Sequence, residues 1–209
     1  MLQTFSADNF HLICDRLSSK EPVLAFIIKK FGYPPMWTRP NTFETLVHII
    51  LEQQVSLASA LAALNKLRER LIRITPGGVL ELTDEEFKAC YFSRQKMSYT
   101  RSLAEAIRSG RFSLEAMEEL PDNAVRAKLI ALKGFGNWTI DVYLMFVLRR
   151  ADVFPMGDLA AVKALKQIKT LPNDITTAGL LDIAASWKPY RTVATMILWH
   201  YYLSTKRKK

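Results

Sequence analysis

The 209-residue chain has little cysteine and little glycine, with 2 of the first and 8 of the second. Cys14 and Cys90 stand far apart, with no Cys-x-x-Cys spacing and no Cys/His pairing. That excludes a zinc site, a disulfide scaffold and a four-cysteine iron–sulfur cluster, and both thiols read as inert. His11, His48 and His200 show no metal-ligand spacing, so no catalytic metal and no cofactor are expected. Alternating β-branched runs bounded by turn residues are equally scarce, which predicts an all-α fold. No apolar run approaches the length of a membrane span, and residues 1–8 lack a basic segment followed by an apolar one. The expectation is an intracellular protein without a membrane partner, in the cytoplasm (nucleoid) of a bacterium or the nucleus of a eukaryote.

What is present is enough apolar material for a sizeable core, 49% hydrophobic and 11% aromatic, and a basic surplus of 29 Lys and Arg over 20 Asp and Glu. Four of those cations form the tail Lys206-Arg207-Lys208-Lys209, yet the rest of the chain is still net positive, which suits a polyanionic partner. Helical periodicity runs almost throughout and predicts about ten short helices. The strongest spans Val55 to Ile74, with Leu57, Leu61, Leu64, Leu67 and Leu71 on one face. Small polar residues at Thr42, Thr83, Ser93, Ser113, Asp122 and Thr176 mark further starts. Pro-containing breaks at residues 33–35, 120–121 and 154–155 suggest one unit of two helical lobes around a cleft, 43–150 as one lobe and 1–42 plus 151–209 as the other.

The densest signal is Leu132-Lys133-Gly134-Phe135-Gly136-Asn137-Trp138-Thr139, read as helix, tight Gly-x-Gly turn and helix. The two glycines permit positive φ and close approach of the backbone to a ligand, and the first amides of the next helix face outward, so the turn suits a phosphate. An ordinary connection with capping glycines has the same spacing. About twenty residues on comes Arg149-Arg150-Ala151-Asp152-Val153-Phe154-Pro155-Met156-Gly157-Asp158. On spacing alone Asp158 caps the helix that starts at Leu159, while Asp141 and Asp152 read as structural or surface acids.

These two segments resemble the helix-hairpin-helix DNA glycosylase superfamily, with its Gly/Pro-rich loop and essential Asp. More narrowly the chain resembles the alkylation-specific 3-methyladenine DNA glycosylase II branch, in a compact form without the N-terminal β domain. Also matching, in order, are Phe43-Glu44-Thr45-Leu46-Val47 leading to Glu52-Gln53-Gln54-Val55-Ser56, then Ser93-Arg94-Gln95-Lys96, and Trp187-Lys188-Pro189-Tyr190-Arg191. Together they cover roughly residues 20–203.

The resemblance implies a monomer that binds damaged double-stranded DNA in the cleft between the lobes, flips out an alkylated purine and hydrolyses its N-glycosidic bond, leaving an abasic site for base excision repair. It places the catalytic carboxylate at Asp158, opposite a developing oxocarbenium sugar. Trp138 falls where lyase-active relatives carry a Schiff-base lysine, which implies a monofunctional enzyme. Trp138 and Trp199 match base-pocket aromatics; a further pocket aromatic falls at Val142, with Tyr143 beside it, and Trp199 reads equally as a core residue. Gln54 is the wedge that fills the gap left by the flipped base, or else a polar residue at a helix junction. Lys133, Gly134, Phe135, Gly136 and Thr139 bind a DNA phosphate, with carbonyls of Ile130, Leu132 and Phe135 holding a structural Na+ or K+. Arg94, Lys96, Lys188 and Arg191 are further phosphate neighbours. Two rivals stand beside this reading: a glycosylase for oxidised or mispaired bases, and a non-catalytic binder of DNA structures.

Overall fold

A computed structural model of the chain describes residues 3–206; of the basic tail only Lys206 is among them. The first seven helices are α1 (Ala7–Lys20), α2 (Pro22–Phe31), α3 (Phe43–Glu52), α4 (Leu57–Arg70), α5 (Pro76–Glu81), α6 (Asp84–Ala89) and α7 (Arg94–Arg108). They are followed by α8 (Leu114–Glu119), α9 (Asp122–Ile130), α10 (Asn137–Val142), a π-helical turn (Tyr143–Val147), α11 (Leu159–Ile168), α12 (Thr177–Ala185) and α13 (Arg191–Lys206). Among the described residues there is no strand, only an isolated bridge between Thr4 and Arg150, so the fold is all-α. The thirteen α-helices among the described residues exceed the ten expected; α6 and α8 follow the starts read at Thr83 and Ser113, whereas α5 is too short to show a period.

Helix starts follow local chemistry. Thr42, Thr83, Ser93, Ser113 and Thr176 each accept the amide three residues on, which satisfies one of the first-turn donors that have no partner inside the helix. At Asp122 the cap is Pro121, and Asp122 is the first helical residue. The long helix expected over Val55–Ile74 is shorter, Leu57–Arg70, and only Leu64 and Leu67 of the expected stripe are buried. Ala60, Ala63, Leu64 and Leu67 face inward, whereas Leu57 and Leu61 are 65% and 45% exposed. At about 100° per residue Leu61 sits a quarter-turn round from Ala60, so a leucine count alone places the face only in part.

The chain forms two compact units, Arg39–Tyr143 and a discontinuous one made of the segments up to Thr38 and from Leu144 onward. The boundaries expected at 43 and 150 therefore fall at 39 and 143, since the π-helical turn, not the proline break, carries the crossing. In the continuous unit α3 is the centre: Leu46, Val47, Ile49 and Ile50 are fully buried, with α4 and α7 packed against it. In the discontinuous unit α13 has that place, buried from Thr192 to Trp199 and flanked by α1, α2 and α11. Each such aliphatic side chain contributes about 1.5–3 kcal/mol by burial. Cys14 and Cys90 are free and buried, and burial pushes the Cys14 thiol up to about 12, in keeping with an inert role.

Candidate functional site

Within the discontinuous unit the loop 148–158 is pinned at both ends. Residues 3–5 pair with it through Phe5 N–H to the Arg149 carbonyl at 3.0 Å and Ala151 N–H to the Gln3 carbonyl at 2.9 Å. The start of α13 holds it from another side: the Thr192 hydroxyl donates to the Arg150 carbonyl at 2.6 Å and accepts from Val153 N–H at 3.1 Å. Arg191 forks onto both carboxylate oxygens of Asp152, at 2.7 and 3.0 Å. Asp152 is thus a structural acid, as expected, and Arg191 is tied to it instead of standing ready for phosphate.

The loop ends at Asp158, which caps α11: its Oδ1 accepts from Ala161 N–H at 2.8 Å and from Trp199 Nε1 at 3.0 Å. Two donors on one oxygen orient the carboxylate. Trp199 is only 9% exposed, stacked on Phe146 with ring centroids 5.1 Å apart and 19° between planes, and met edge-on by Trp37 at 6.3 Å and 80°. Asp158 and Trp199, 41 residues apart, are thereby brought together: Trp199 is a core side chain whose polar edge reaches the carboxylate. Sequence reasoning missed Phe146 and Trp37. Phe146 lies in the π-helical turn, whose wider winding breaks the 3.6 period that would have given its facing. Trp37 lies in a proline-rich connection with no period at all.

The Gly-x-Gly turn belongs to the continuous unit. Gly134 has φ +87°, and a Cβ there would come within 2.2 Å of the Tyr99 ring. Gly136 caps α10 with φ −94° and open space around it, so only one of the two glycines uses the left-handed region. A residue not singled out, Gln53, ties the turn down: its Nε2 donates to the Gly134 carbonyl at 2.9 Å and to the Thr139 hydroxyl at 3.0 Å. Its signal was the Gln53-Gln54 pair, of which only the second was weighed. Gln54 is exposed at the α3–α4 junction with φ +59°, a conformation a non-glycine side chain adopts at a cost. Phe135 and Thr139 are buried, at 3% and 2% exposure, so neither presents its side chain to a phosphate. Lys133 is exposed, its amine donating to the Ser98 hydroxyl at 2.8 Å. Trp138 is half-buried in the first turn of α10.

Lys96 departs from its expected role, since its amine donates to the Leu51 carbonyl at 2.6 Å and burial lowers its pKa. Arg94 and Lys188 are exposed. Asp141 is buried and paired with Arg126, which bears out its structural reading. Val142 and Tyr143 are both buried, the Tyr143 hydroxyl donating to Asn41 Oδ1 at 2.8 Å. His48 sits 3.6 Å from Glu52, with burial lowering its pKa against the pull of that carboxylate. No group of three or more His, Cys, Asp or Glu suited to a metal occurs among the described residues, and no helix there is long and apolar enough to cross a membrane.

Residues 47–189 match the family described as HhH-GPD superfamily base excision DNA repair protein. DNA-3-methyladenine glycosylase 1 of Schizosaccharomyces pombe is 30% identical over 165 residues, 77% of this chain and 72% of that protein. A Bacillus subtilis protein named putative DNA-3-methyladenine glycosylase YfjP is 26% identical over 188 residues, 84% of this chain and 64% of its own length. The structure of an S. pombe 3-methyladenine DNA glycosylase in complex with abasic DNA superposes with a TM-score of 0.81 at 28% identity, covering 90% of this chain and 94% of that one.

Proposed function

Because the chain belongs to the HhH-GPD superfamily of base excision DNA repair proteins, we propose that it is a monofunctional DNA glycosylase. It releases alkylated purines of the 3-methyladenine and 7-methylguanine type from double-stranded DNA and leaves an abasic site. Relatives named for 3-methyladenine support the substrate class. The observation that carries the chemistry is the oriented carboxylate, Asp158 Oδ1 between a backbone amide and the Trp199 indole.

A base methylated at a ring nitrogen carries positive charge and departs neutral, so its glycosidic bond breaks without a strong general acid. The cation then left on the sugar needs an anion nearby and a water as nucleophile. Asp158 supplies the first and orients or deprotonates the second. Trp138, at the position of the lyase lysine, has no amine to form an imine, so water and not the protein takes the sugar carbon. Aromatic faces favour a cationic base over its neutral counterpart, which selects for alkylated purines.

In the other unit, the backbone of Gly134–Gly136, the first amides of α10 and Lys133 hold a DNA phosphate, and Gln54 fills the vacated stack. Carbonyls of Ile130, Leu132 and Phe135 offer hard oxygen donors for Na+ or K+. The Leu132 carbonyl accepts from Phe135 N–H at 3.2 Å and keeps a second lone pair for an ion.

The test is release of free base from methylated duplex DNA, with 3-methyladenine and 7-methylguanine resolved. Wild type is expected to release base, and Asp158→Asn to do so at least about 10²-fold more slowly while still binding DNA. No release by wild type, or a product trapped by borohydride, overturns the reading.

A further inference from the structure

A solvent-open groove of about 550 Å³ lies within the discontinuous unit, walled by Arg16, Ser19 and Lys20 of α1 and by Lys188, Pro189 and Tyr190 ahead of α13. Leu17 and Trp187, both buried, form its floor. It is separate from the oriented carboxylate: neither Asp158, Trp199 nor Phe146 lines it, and Trp199 lies eight residues into α13, about 12 Å of helix rise from the groove wall.

The charge on its walls is net positive. Arg16, Lys20 and Lys188 contribute three cations, and the one lining carboxylate, Glu21, is answered from inside the unit. Its Oε2 accepts from Lys169 Nζ at 2.9 Å and from Trp187 Nε1 at 3.3 Å. Asp15, next to Arg16 in sequence, is not part of the wall and accepts from the Tyr33 hydroxyl at 2.6 Å. The Arg16 guanidinium is steadied by an uncharged partner, the Tyr190 hydroxyl at 3.2 Å, which bridges the two walls and leaves the positive charge uncancelled. Arg16 and Lys20 stand one helical turn apart on one face, and Lys188 precedes a proline of restricted φ, so the cations are carried on ordered backbone. The hydroxyls of Ser19 and Ser186 already donate to the Arg16 and Ile183 carbonyls at 2.9 and 2.8 Å, so the cations are the donors the groove presents.

We propose that this groove is a second DNA contact, which takes the phosphodiester backbone of the duplex away from the base being excised. It rests on the DNA-binding reading above and adds to it a site outside both the hairpin and the carboxylate. Cations over an apolar floor make a sequence-independent contact, and such contacts show in the salt dependence of affinity.

The experiment is binding of an undamaged duplex at several salt concentrations by wild type, by Lys20→Gln/Lys188→Gln, and by Lys29→Gln, which removes one charge from an exposed lysine outside the groove. The double variant is expected to lower the salt slope by about 2, one for each lysine, and Lys29→Gln to leave it unchanged. The double variant is expected to unfold at the wild-type thermal midpoint, since both lysines are exposed, and that shows its fold is intact. A wild-type slope in the double variant, or the same per-charge loss in Lys29→Gln, overturns the proposal. Absence of base release by wild type would defeat the glycosylase reading instead, and the slopes would still report on the groove.

Discussion

The Gly-x-Gly turn and the loop that ends at Asp158 are both short connections leading into a helix, and they are held by different means. The turn is held by shape: a left-handed Gly134 against the Tyr99 ring, with Gln53 bound to its backbone. The loop is held by polar side chains distant in sequence, Thr192, Arg191 and Trp199, all on one face or end of α13. A backbone ligand such as a phosphate needs only the turn's amides in place. A reacting centre needs a carboxylate oxygen aimed, and aiming takes donors from a second element. The difference predicts that the turn is sensitive to added bulk and the loop to lost hydrogen bonds.

The largest effect expected from a single substitution is on the turn. Gly134→Ala places a methyl 2.2 Å from the Tyr99 ring at φ +87°, so clash and backbone strain add. We expect a loss of about 2–4 kcal/mol, read as a lower midpoint in thermal or denaturant unfolding. Adding Tyr99→Ala to that variant restores the steric part and leaves the backbone part. If the double variant is no more stable than the single one, strain alone accounts for the loss and the packing half of the comparison fails.

On the loop, Trp199→Phe keeps a ring between Phe146 and Trp37 but removes the N–H that reaches Asp158 Oδ1. A hydrogen bond to a charged group is worth about 1.5–3 kcal/mol, so kcat for base release is expected to fall by roughly tenfold or more with KM little changed. A rise in KM at constant kcat would instead make Trp199 a platform for the base and not a holder of the carboxylate.

Legibility in the sequence follows the same division. Helix starts at Thr42, Thr83, Ser93, Ser113 and Thr176 were readable because a cap acts over three residues, and Asp158 was readable as a cap for that reason. What surrounds Asp158 was legible only at Trp199, through the resemblance: Trp37 and Phe146 converge on that ring from distant segments, one of them in a π-helical turn. In α4 the small Ala60 and Ala63 share the buried stripe with Leu64 and Leu67 while Leu57 and Leu61 lie outside it, so a count of leucines pointed only partly to the right face. Lys96 and Arg191 looked like phosphate ligands because a side chain's internal partner, here the Leu51 carbonyl and Asp152, is invisible until the chain is folded.

The smallest expected effect separates the two glycines that the sequence presents as equals. Gly136 has φ −94°, which any L residue adopts, and a Cβ there meets no atom within 4 Å. Gly136→Ala should therefore change stability by no more than about 0.5 kcal/mol. That open space lies at the first turn of α10, where the hairpin's backbone is proposed to meet a phosphate. The added methyl should weaken duplex binding to the same degree for every sequence, since the contact is to backbone and not to a base edge. Unfolding and binding measured on this one variant divide the turn's two roles: stability unchanged with uniformly weaker DNA binding assigns Gly134 to the fold and Gly136 to the ligand. A stability loss matching that of Gly134→Ala would put both glycines in the fold and remove the reason for placing the phosphate at Gly136.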